Sequence, residues 1–583
     1  MPRFTPPLRD IAFVLDDVLD AGRHLAALPA CQEVGSADLL AITEEAGRFA
    51  AQEVLPLNLA AHQQGCTWRD GQVSTPSGFP QAYAQFKELG WPSLCAPVEA
   101  GGQGLPRLAF SLLAEMLSSC SHAFGMYACI NHCASACLKH SASAELQTLW
   151  LPRLASGEVT ASMCMTEPQA GSDIGLAATR AVPHEDGGYR LQGAKIFASG
   201  AEQDLTDNIM HLVLARLPDA PPGSRGLSLF LVPKLLEDGT RNAVFCDGIE
   251  HKMGLHGSAT CSLRFEQAVG WLVGAPHKGL AAMFPMMNEA RLFTGLQALG
   301  LSEQALQNAL DYARERRQGH APGASRAGGK LGPSLLIEHP DVQRMLLAQK
   351  AWTEGARVFT HWTALLIDVA DHHPDAAQRE QTAATVGLLT PLIKGFLAEN
   401  AQQSLSLALQ VFGGHGYIEE TGIEQLVRDA RVLTLYEGTT GIQAQDLLMR
   451  KILPDQGKQL GLLTSEMRVW LSQADPAHLH GWETALPQTL DLLDDITQML
   501  LARPRPEDAL QACTPYLRLA GHAVLAYLWA RSAHAASPHA DDSAWHRAKL
   551  DTAAYYRTQL LPETLHLAAA LRATPLPAPV FAD

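Results

Sequence analysis

Between Ala161 and about Leu272 the hydrophobic period of this chain changes, and that change constrains the fold more than any single residue does. Before it, from about Ser36 to Leu154, apolar residues recur at three- and four-residue steps in LLAITEEAGRFAAQEVLPL and LAFSLLAEMLSSC, which places them on one helical face. Loops such as WRDGQVSTPSGFP and VEAGGQGLP separate these helices. Within the central stretch, YRLQGAKIFAS, NIMHLVLARL, GLSLFLVPK and SATCSLRFEQ are short runs split by Gly, Pro and Asp, and they read as strands. Helical spacing returns at about Gly279 and continues to Ile452, with AMFPMMNEARLFTGLQALGLSEQALQNALDYARERRQG as a long hairpin candidate. After a polar break at 454–461 a further helical block follows, and it ends in TPLPAPVFAD. The expectation is an α+β chain, mostly helical. It has an extension over 1–36, an N-terminal helical domain over 37–160, a central β domain over 161–277, a C-terminal helical domain over 278–453 and an additional helical block over 462–583. The last carries no cluster of reactive residues and reads as a packing or oligomer domain.

At 583 residues the chain is too long for one ordinary core. With 47% hydrophobic and 18% charged residues it has ample material for several. The 44 Lys and Arg against 60 Asp and Glu leave a net charge of −16, which disfavours sequence-independent binding of nucleic acid. Eleven cysteines form no CxxC pair, and no His cluster has metal-ligand spacing, so neither a disulfide framework nor a metal site is expected. Cys129, Cys133 and Cys137 recur every four residues, a stripe suited to close helix packing. The opening MPRFTPPLRDIAFVLDDVLDAGRHL lacks an apolar h-region and does not read as a secretory signal. No apolar run reaches about 18 residues, so no membrane span is expected and a cytoplasmic location is the default.

Four segments carry candidate chemistry. In QVFGGHGYIEETGIEQLVRDARVLTLYEGTTGIQ, Glu437 stands between Tyr436 and Gly438. A carboxylate that takes a weakly acidic carbon proton needs a water-poor pocket, because desolvation strengthens it as a base. Leu435 and Tyr436 would shield it, Gly438 would admit a close backbone approach, and Thr439 and Thr440 would offer hydroxyls. A buried structural glutamate ahead of a helix fits the segment equally well. MCMTEPQAGSDIG combines the hydroxyls of Thr166 and Ser172 with the small Ala170, Gly171 and Gly175, as a planar cofactor with a phosphate tail requires, or as an ordinary strand-entry loop would. In GAKIFASGAE, Phe197 and Ser199 lie two apart and on a regular strand share a face; a Phe packed in a β core is the plain alternative. In NEARLFTG, Asn288 and Arg291 lie one helical turn apart and suit an anionic, amide-containing ligand, or Arg291 forms an internal salt bridge. The loop HAPGASRAGGKLGP contains Lys330 but lacks the Lys-Ser or Lys-Thr ending of a nucleotide P-loop, and reads as a flexible excursion.

Taken in order, MTEPQAGSD, the KIFAS strand, KMGLHGSAT, YARERRQG, QVFGGHGY and YEGTTGIQ resemble the acyl-CoA dehydrogenase family over about residues 37–452. The opening RDIAFVLDDVL and the added C-terminal block resemble most the long bacterial subgroup that includes 3-methylmercaptopropionyl-CoA dehydrogenases. The resemblance implies a helical, a β and a C-terminal four-helix domain, with FAD and an acyl-CoA thioester bound between them. It implies that Glu437 is the base taking the α-proton while a hydride leaves the β-carbon for flavin N5, giving a trans-2-enoyl-CoA. It further implies FAD contacts from Met163, Thr166, Ser172, Phe197, Ser199 and Thr439, and substrate contacts from Ser172, Asn288, Arg291 and Gly438. Arg316, Gln410, Gly413 and Gly414 match positions that reach the FAD of a neighbouring subunit, so a homodimer or homotetramer is implied, with an electron-transferring flavoprotein as acceptor.

The chain departs from the family at several points. Where some members carry the base on a helix, just before the arginine matched by Arg291, it has Ala290, and Glu289 is one residue off. Asn288 replaces a common aspartate, His256 a common arginine, and Gly319-His320 the usual Phe-Gly. Three other functions compete: an alkylation-response flavoprotein of the same fold that binds DNA, an acyl-CoA oxidase, and a non-catalytic scaffold. The acidic LDLLDDITQML and HADDSAW weigh against the first, and the intact Glu437 against the last.

Overall fold

The computed structural model describes residues 2–322, 332–503 and 506–573. Lys330 and the tail TPLPAPVFAD lie outside the described residues. The chain divides into two units: one of Phe4–Pro6 and Ile42–Phe293, the other of Met1–Arg3, Pro7–Ala41 and Thr294–Asp583.

In the first unit, helices including Arg107–Cys120 and His122–Ser141 accompany a β-sheet. The segment expected as a loop at WRDGQVS forms a small hairpin, β1 (Thr67–Arg69) and β2 (Gln72–Ser74). Asp70 and Gly71 at its turn both have positive φ, the conformation that an Asp-Gly pair favours in a two-residue hairpin. The main sheet has seven strands: β3 (Val159–Cys164), β4 (Arg180–Pro183), β5 (Tyr189–Ser199), β6 (Asn208–Arg216), β7 (Leu227–Pro233), β8 (Val244–Ile249) and β9 (Thr260–Val273). Pairings β6–β7, β7–β9, β9–β5, β5–β4 and β4–β6 close a ring, with β3 added beside β6 and β8 beside β9.

Alternation explains the two faces of this sheet. Leu212, Leu214, Leu229 and Leu231 enter one cluster with Trp150, Met283 and Met286. Their neighbours Val213, Ala215, Phe230 and Val232 enter the other with Leu191, Leu263 and Phe265. The cysteine stripe packs: Cys129, Cys133 and Cys137 are buried, Cys137 Sγ lies 3.2 Å from the Ala282 carbonyl, and burial pushes its thiol up to about 12.

The expected helical hairpin after Gly279 is instead one uninterrupted helix of 37 residues, Gly279–Glu315. A glycine within this helix serves its packing. A Cβ on Gly295 would lie 2.3 Å from Ile393 Cγ2, so its absence lets two helices approach closely.

The second unit is helical, built on the long helices Pro340–His372 and Ala376–Phe412 with Cys513–Ala536 packed onto them. A Cβ at Gly521 would fall 2.5 Å from the Phe396 ring, and Gly355 abuts Leu525 and Trp529 in the same way. Trp352, Phe396, His522 and Tyr556 meet mostly edge to face around this crossing. The first short helix, Leu8–Phe13, is tied in by charge. Arg357 donates to Asp10 at 2.5 Å and to Glu303 at 2.6 Å, while Lys549 bonds Asp10 and, at 2.7 Å, Glu354. Burial alone would raise the Asp10 pKa, but Lys549 and Arg357 hold it well below the usual carboxylate range. Among the described residues no helix is long and apolar enough to cross a membrane.

Removing Lys549 takes one cation from both Asp10 and Glu354 in a buried network, so Lys549→Met is expected to cost roughly 3–5 kcal/mol in urea unfolding. An unchanged unfolding midpoint would show that the network is dispensable.

Candidate functional site

Glu437 lies in a turn between the short helical segment Val432–Thr434 and the helix Thr440–Gln445. Its φ is +54° and that of Gly438 is +84°, so two successive residues are left-handed. For a side-chain-bearing residue this costs about 1–2 kcal/mol. Gln443 Nε2 donates to the Glu437 carbonyl at 2.9 Å, and Lys394 Nζ donates to the Gly438 carbonyl. Each such bond contributes about 0.5–3 kcal/mol, the larger values for a charged donor, so the pair is able to offset the strain. Tyr436 is partly buried and its hydroxyl donates to the Gln297 side chain; burial and the Glu437 carboxylate push that hydroxyl's pKa well up.

The turn's other hydroxyls have local duties. Thr439 caps the following helix, its side chain accepting from Ile442 N–H at 3.2 Å, and Thr440 donates to Glu399 at 2.7 Å. Leu435, expected as shielding, is exposed, whereas Tyr436 is partly buried. Arg316 stands just past the end of the Gly279–Glu315 helix and is exposed, as are Gln410, Gly413 and Gly414. Tyr312 brings the two segments side by side: its ring stacks on Phe412 at 4.3 Å and its hydroxyl lies 3.0 Å from His415 Nδ1.

In the other unit, Met163 is on β3 and Thr166 follows the strand's end. The turn is ordered from beneath by Glu167, which sequence reasoning passed over. Its carboxylate accepts from the backbone of Ala178 at 2.7 Å and Thr179 at 3.1 Å and from Lys195 Nζ at 2.7 Å. Burial would raise the Glu167 pKa, but Lys195 and these bonds bring it down to about 2. Lys195 is fully buried and also donates to the Met165 carbonyl at 3.0 Å. A cation in the middle of a strand was the available signal.

The Thr166 carbonyl accepts from Ile196 N–H at 2.9 Å, which sets the turn beside Phe197. Here the expected strand alternation fails. The ladder steps from Lys195–Leu263 to Ala198–Cys261, three residues against two, and Phe197 takes φ +58°. This bulge re-aims the side chain. Phe197 is therefore not a core residue: it is 58% exposed, and the extra residue breaks the simple face-sharing with Ser199. An aromatic ring held out of the core beside a turn with free space at Gly171 suits a flat ligand. Ser172 is exposed in the same turn.

Asn288 is exposed, whereas Arg291 is only 4% exposed, with its guanidinium 6.0 Å from the Phe284 ring. Glu289 turns away from both. It accepts from Arg107 Nε at 2.7 Å and lies 3.2 Å from His132, which stacks on Phe110. Burial opposes ionisation of Glu289, yet Arg107 and His132 hold its pKa at about 2. A carboxylate so held is a poor base.

Comparison with known proteins covers most of the chain. Residues 36–158, 162–268 and 277–452 match the acyl-CoA dehydrogenase N-terminal, middle and C-terminal domains, and residues 463–578 match the acetyl-CoA dehydrogenase C-terminal-like domain. The chain is 38% identical to the 3-methylmercaptopropionyl-CoA dehydrogenase of Ruegeria pomeroyi, over 96% of each chain. It is 36% identical to a butyryl-CoA dehydrogenase of Syntrophomonas wolfei, over 81% of this chain and 79% of that one. An acyl-CoA dehydrogenase from Bacillus anthracis, solved with FAD, shares the fold at a TM-score of 0.75 and 19% identity, covering 96% of this chain and 91% of that one. Four matched segments spanning most of the sequence, and a relative similar from end to end, make this chain a member of the acyl-CoA dehydrogenase family.

Proposed function

We propose that this chain is an FAD-dependent dehydrogenase that converts an acyl-CoA thioester to the trans-2-enoyl-CoA, with Glu437 as the base. The observation that carries the reading is the left-handed, hydrogen-bonded turn at Glu437 and Gly438. Strain of that kind persists where surrounding structure over-determines it, and it serves to present one side chain in one direction. Glu289, the other carboxylate near the alternative helix position, is committed to Arg107 and His132 and leaves Glu437 as the candidate.

FAD, when bound, supplies the hydride acceptor. Met163, Thr166, Ser172, Phe197, Ser199 and Thr439 would hold it. The exposed Phe197 ring and the clearance at Gly171 fit that role. Asn288 and Arg291 would bind the CoA arm, Ser172 its pantetheine, and the Gly438 backbone would lie against the thioester. Glu437 then takes the α-carbon proton onto its carboxylate. The exposed Arg316, Gln410, Gly413 and Gly414, gathered by Tyr312, would contact the FAD of a second copy in a homodimer or homotetramer. An electron-transferring flavoprotein is the proposed acceptor. Similarity over 96% of both chains to the Ruegeria pomeroyi enzyme favours 3-methylmercaptopropionyl-CoA or another short acyl-CoA as substrate.

Anaerobic titration of the flavin-loaded protein with acyl-CoA thioesters of graded length, including 3-methylmercaptopropionyl-CoA, tests the activity and substrate class. Bleaching of the flavin absorbance by short thioesters is expected; no bleaching by any thioester would refute the dehydrogenase reading. Glu437→Gln keeps the shape and removes the base, so it is expected to retain FAD and to lose the reductive rate by about 10²–10⁴-fold. Arg316→Ala is expected to lower flavin content and shift gel filtration towards smaller species, whereas unchanged flavin content and elution would exclude the contact with a second copy.

A further inference from the structure

Two fully buried polar side chains in the second unit address the carbonyls of the two peptide units that flank Gly438, the first of which joins it to Glu437. Gln443, in the helix Thr440–Gln445, gives its Nε2 to the Glu437 carbonyl at 2.9 Å. Lys394, in the apolar run TPLIKGFLAE of the Ala376–Phe412 helix, gives its Nζ to the Gly438 carbonyl. Neither is explained by packing, because an apolar side chain of the same length would avoid the desolvation of a buried amide or ammonium. The cost is visible at Gln443, whose Oε1 has no hydrogen-bond partner among the described residues. Gly438 serves the same contact: a Cβ there would sit 2.8 Å from Gln443 Nε2.

Peptide units are rigid planes, so fixing the direction of these two carbonyls constrains φ and ψ of Gly438 and the plane in which the Glu437 Cα lies. With the Tyr436 hydroxyl tied to Gln297, three helices grip the turn: Gly279–Glu315, Ala376–Phe412 and Thr440–Gln445. Held on its C-terminal side through these two carbonyls and on its N-terminal side through Tyr436, the Glu437 backbone gives the Cα–Cβ bond a restricted direction.

We propose that Gln443 and Lys394 are positioning residues that hold the Glu437 backbone so that its carboxylate meets the α-carbon proton of the acyl thioester. The proposal rests on Glu437 being the base. Gln443→Met and Lys394→Met, prepared as FAD-loaded proteins, are compared with wild type in anaerobic single-turnover reduction by butyryl-CoA and 3-methylmercaptopropionyl-CoA. The rate at saturation is expected to fall by about 10–100-fold, as for a reacting group displaced by about an ångström, with half-saturation within about twofold of wild type. Lys394→Arg, which keeps a cationic donor, is expected to recover part of the rate. Residues acting through one group are non-additive, so on a Glu437→Gln background the same substitutions should change the residual rate by less than about twofold. Wild-type saturation rates in the single variants, or the full loss on the Glu437→Gln background, overturn the proposal. If Lys394→Met fails to fold, Gln443→Met decides by the same two comparisons. A Glu437→Gln protein that reacts at the wild-type rate overturns the base assignment instead.

Discussion

A backbone turn that no ordinary side-chain-bearing residue prefers is held in place by two buried donors, and the proposed chemistry depends on it. Glu437 and Gly438 both adopt left-handed φ, and the amide of Gln443 and the ammonium of Lys394 answer their carbonyls. Removing a donor would leave a partly buried carbonyl unsatisfied as well as release the turn, so structure and the proposed function draw on the same bonds. The helix that carries Lys394 is in turn fixed by glycine-mediated crossings, Gly295 against Ile393 and Gly521 against Phe396.

Buried charge plays a comparable part elsewhere, always joining segments far apart in the chain. Asp10 reaches Arg357 and Lys549, Glu167 reaches Lys195, and Glu289 reaches Arg107 and His132. In each case desolvation opposes ionisation and neighbouring cations overcome it, so the carboxylate stays charged. Such groups specify register more than they add stability. Glu167 illustrates this: one carboxylate fixes the turn carrying Thr166, the loop at Ala178 and the strand bearing Phe197.

Much of the architecture was legible because it follows from local periodicity. The strand runs beginning at Tyr189, Asn208 and Leu227 became strands with alternating faces, and the cysteines at 129, 133 and 137 became a packed stripe. Sequence reasoning failed where a residue's role is set by a distant partner. The run after Gly279 looked like a helical hairpin and is one helix, in which Gly295 packs against Ile393. Phe197 and Ser199 looked like neighbours on one face, and a bulge separates them. Lys394 lay unnoticed in an apolar helix, because nothing local identifies the carbonyl it bonds.

The sequence by itself determined the order of helical and β segments and, through its spaced motifs, the family, because hydrophobic period and short turn-forming strings are local properties of the chain. Only the tertiary structure decided which polar groups are buried and what each bonds: Lys195 with Glu167, Glu289 with Arg107, Gln443 with Glu437. The physical reason is that the energy of a buried polar group depends on partners the fold brings from elsewhere in the chain, and no window of sequence contains them.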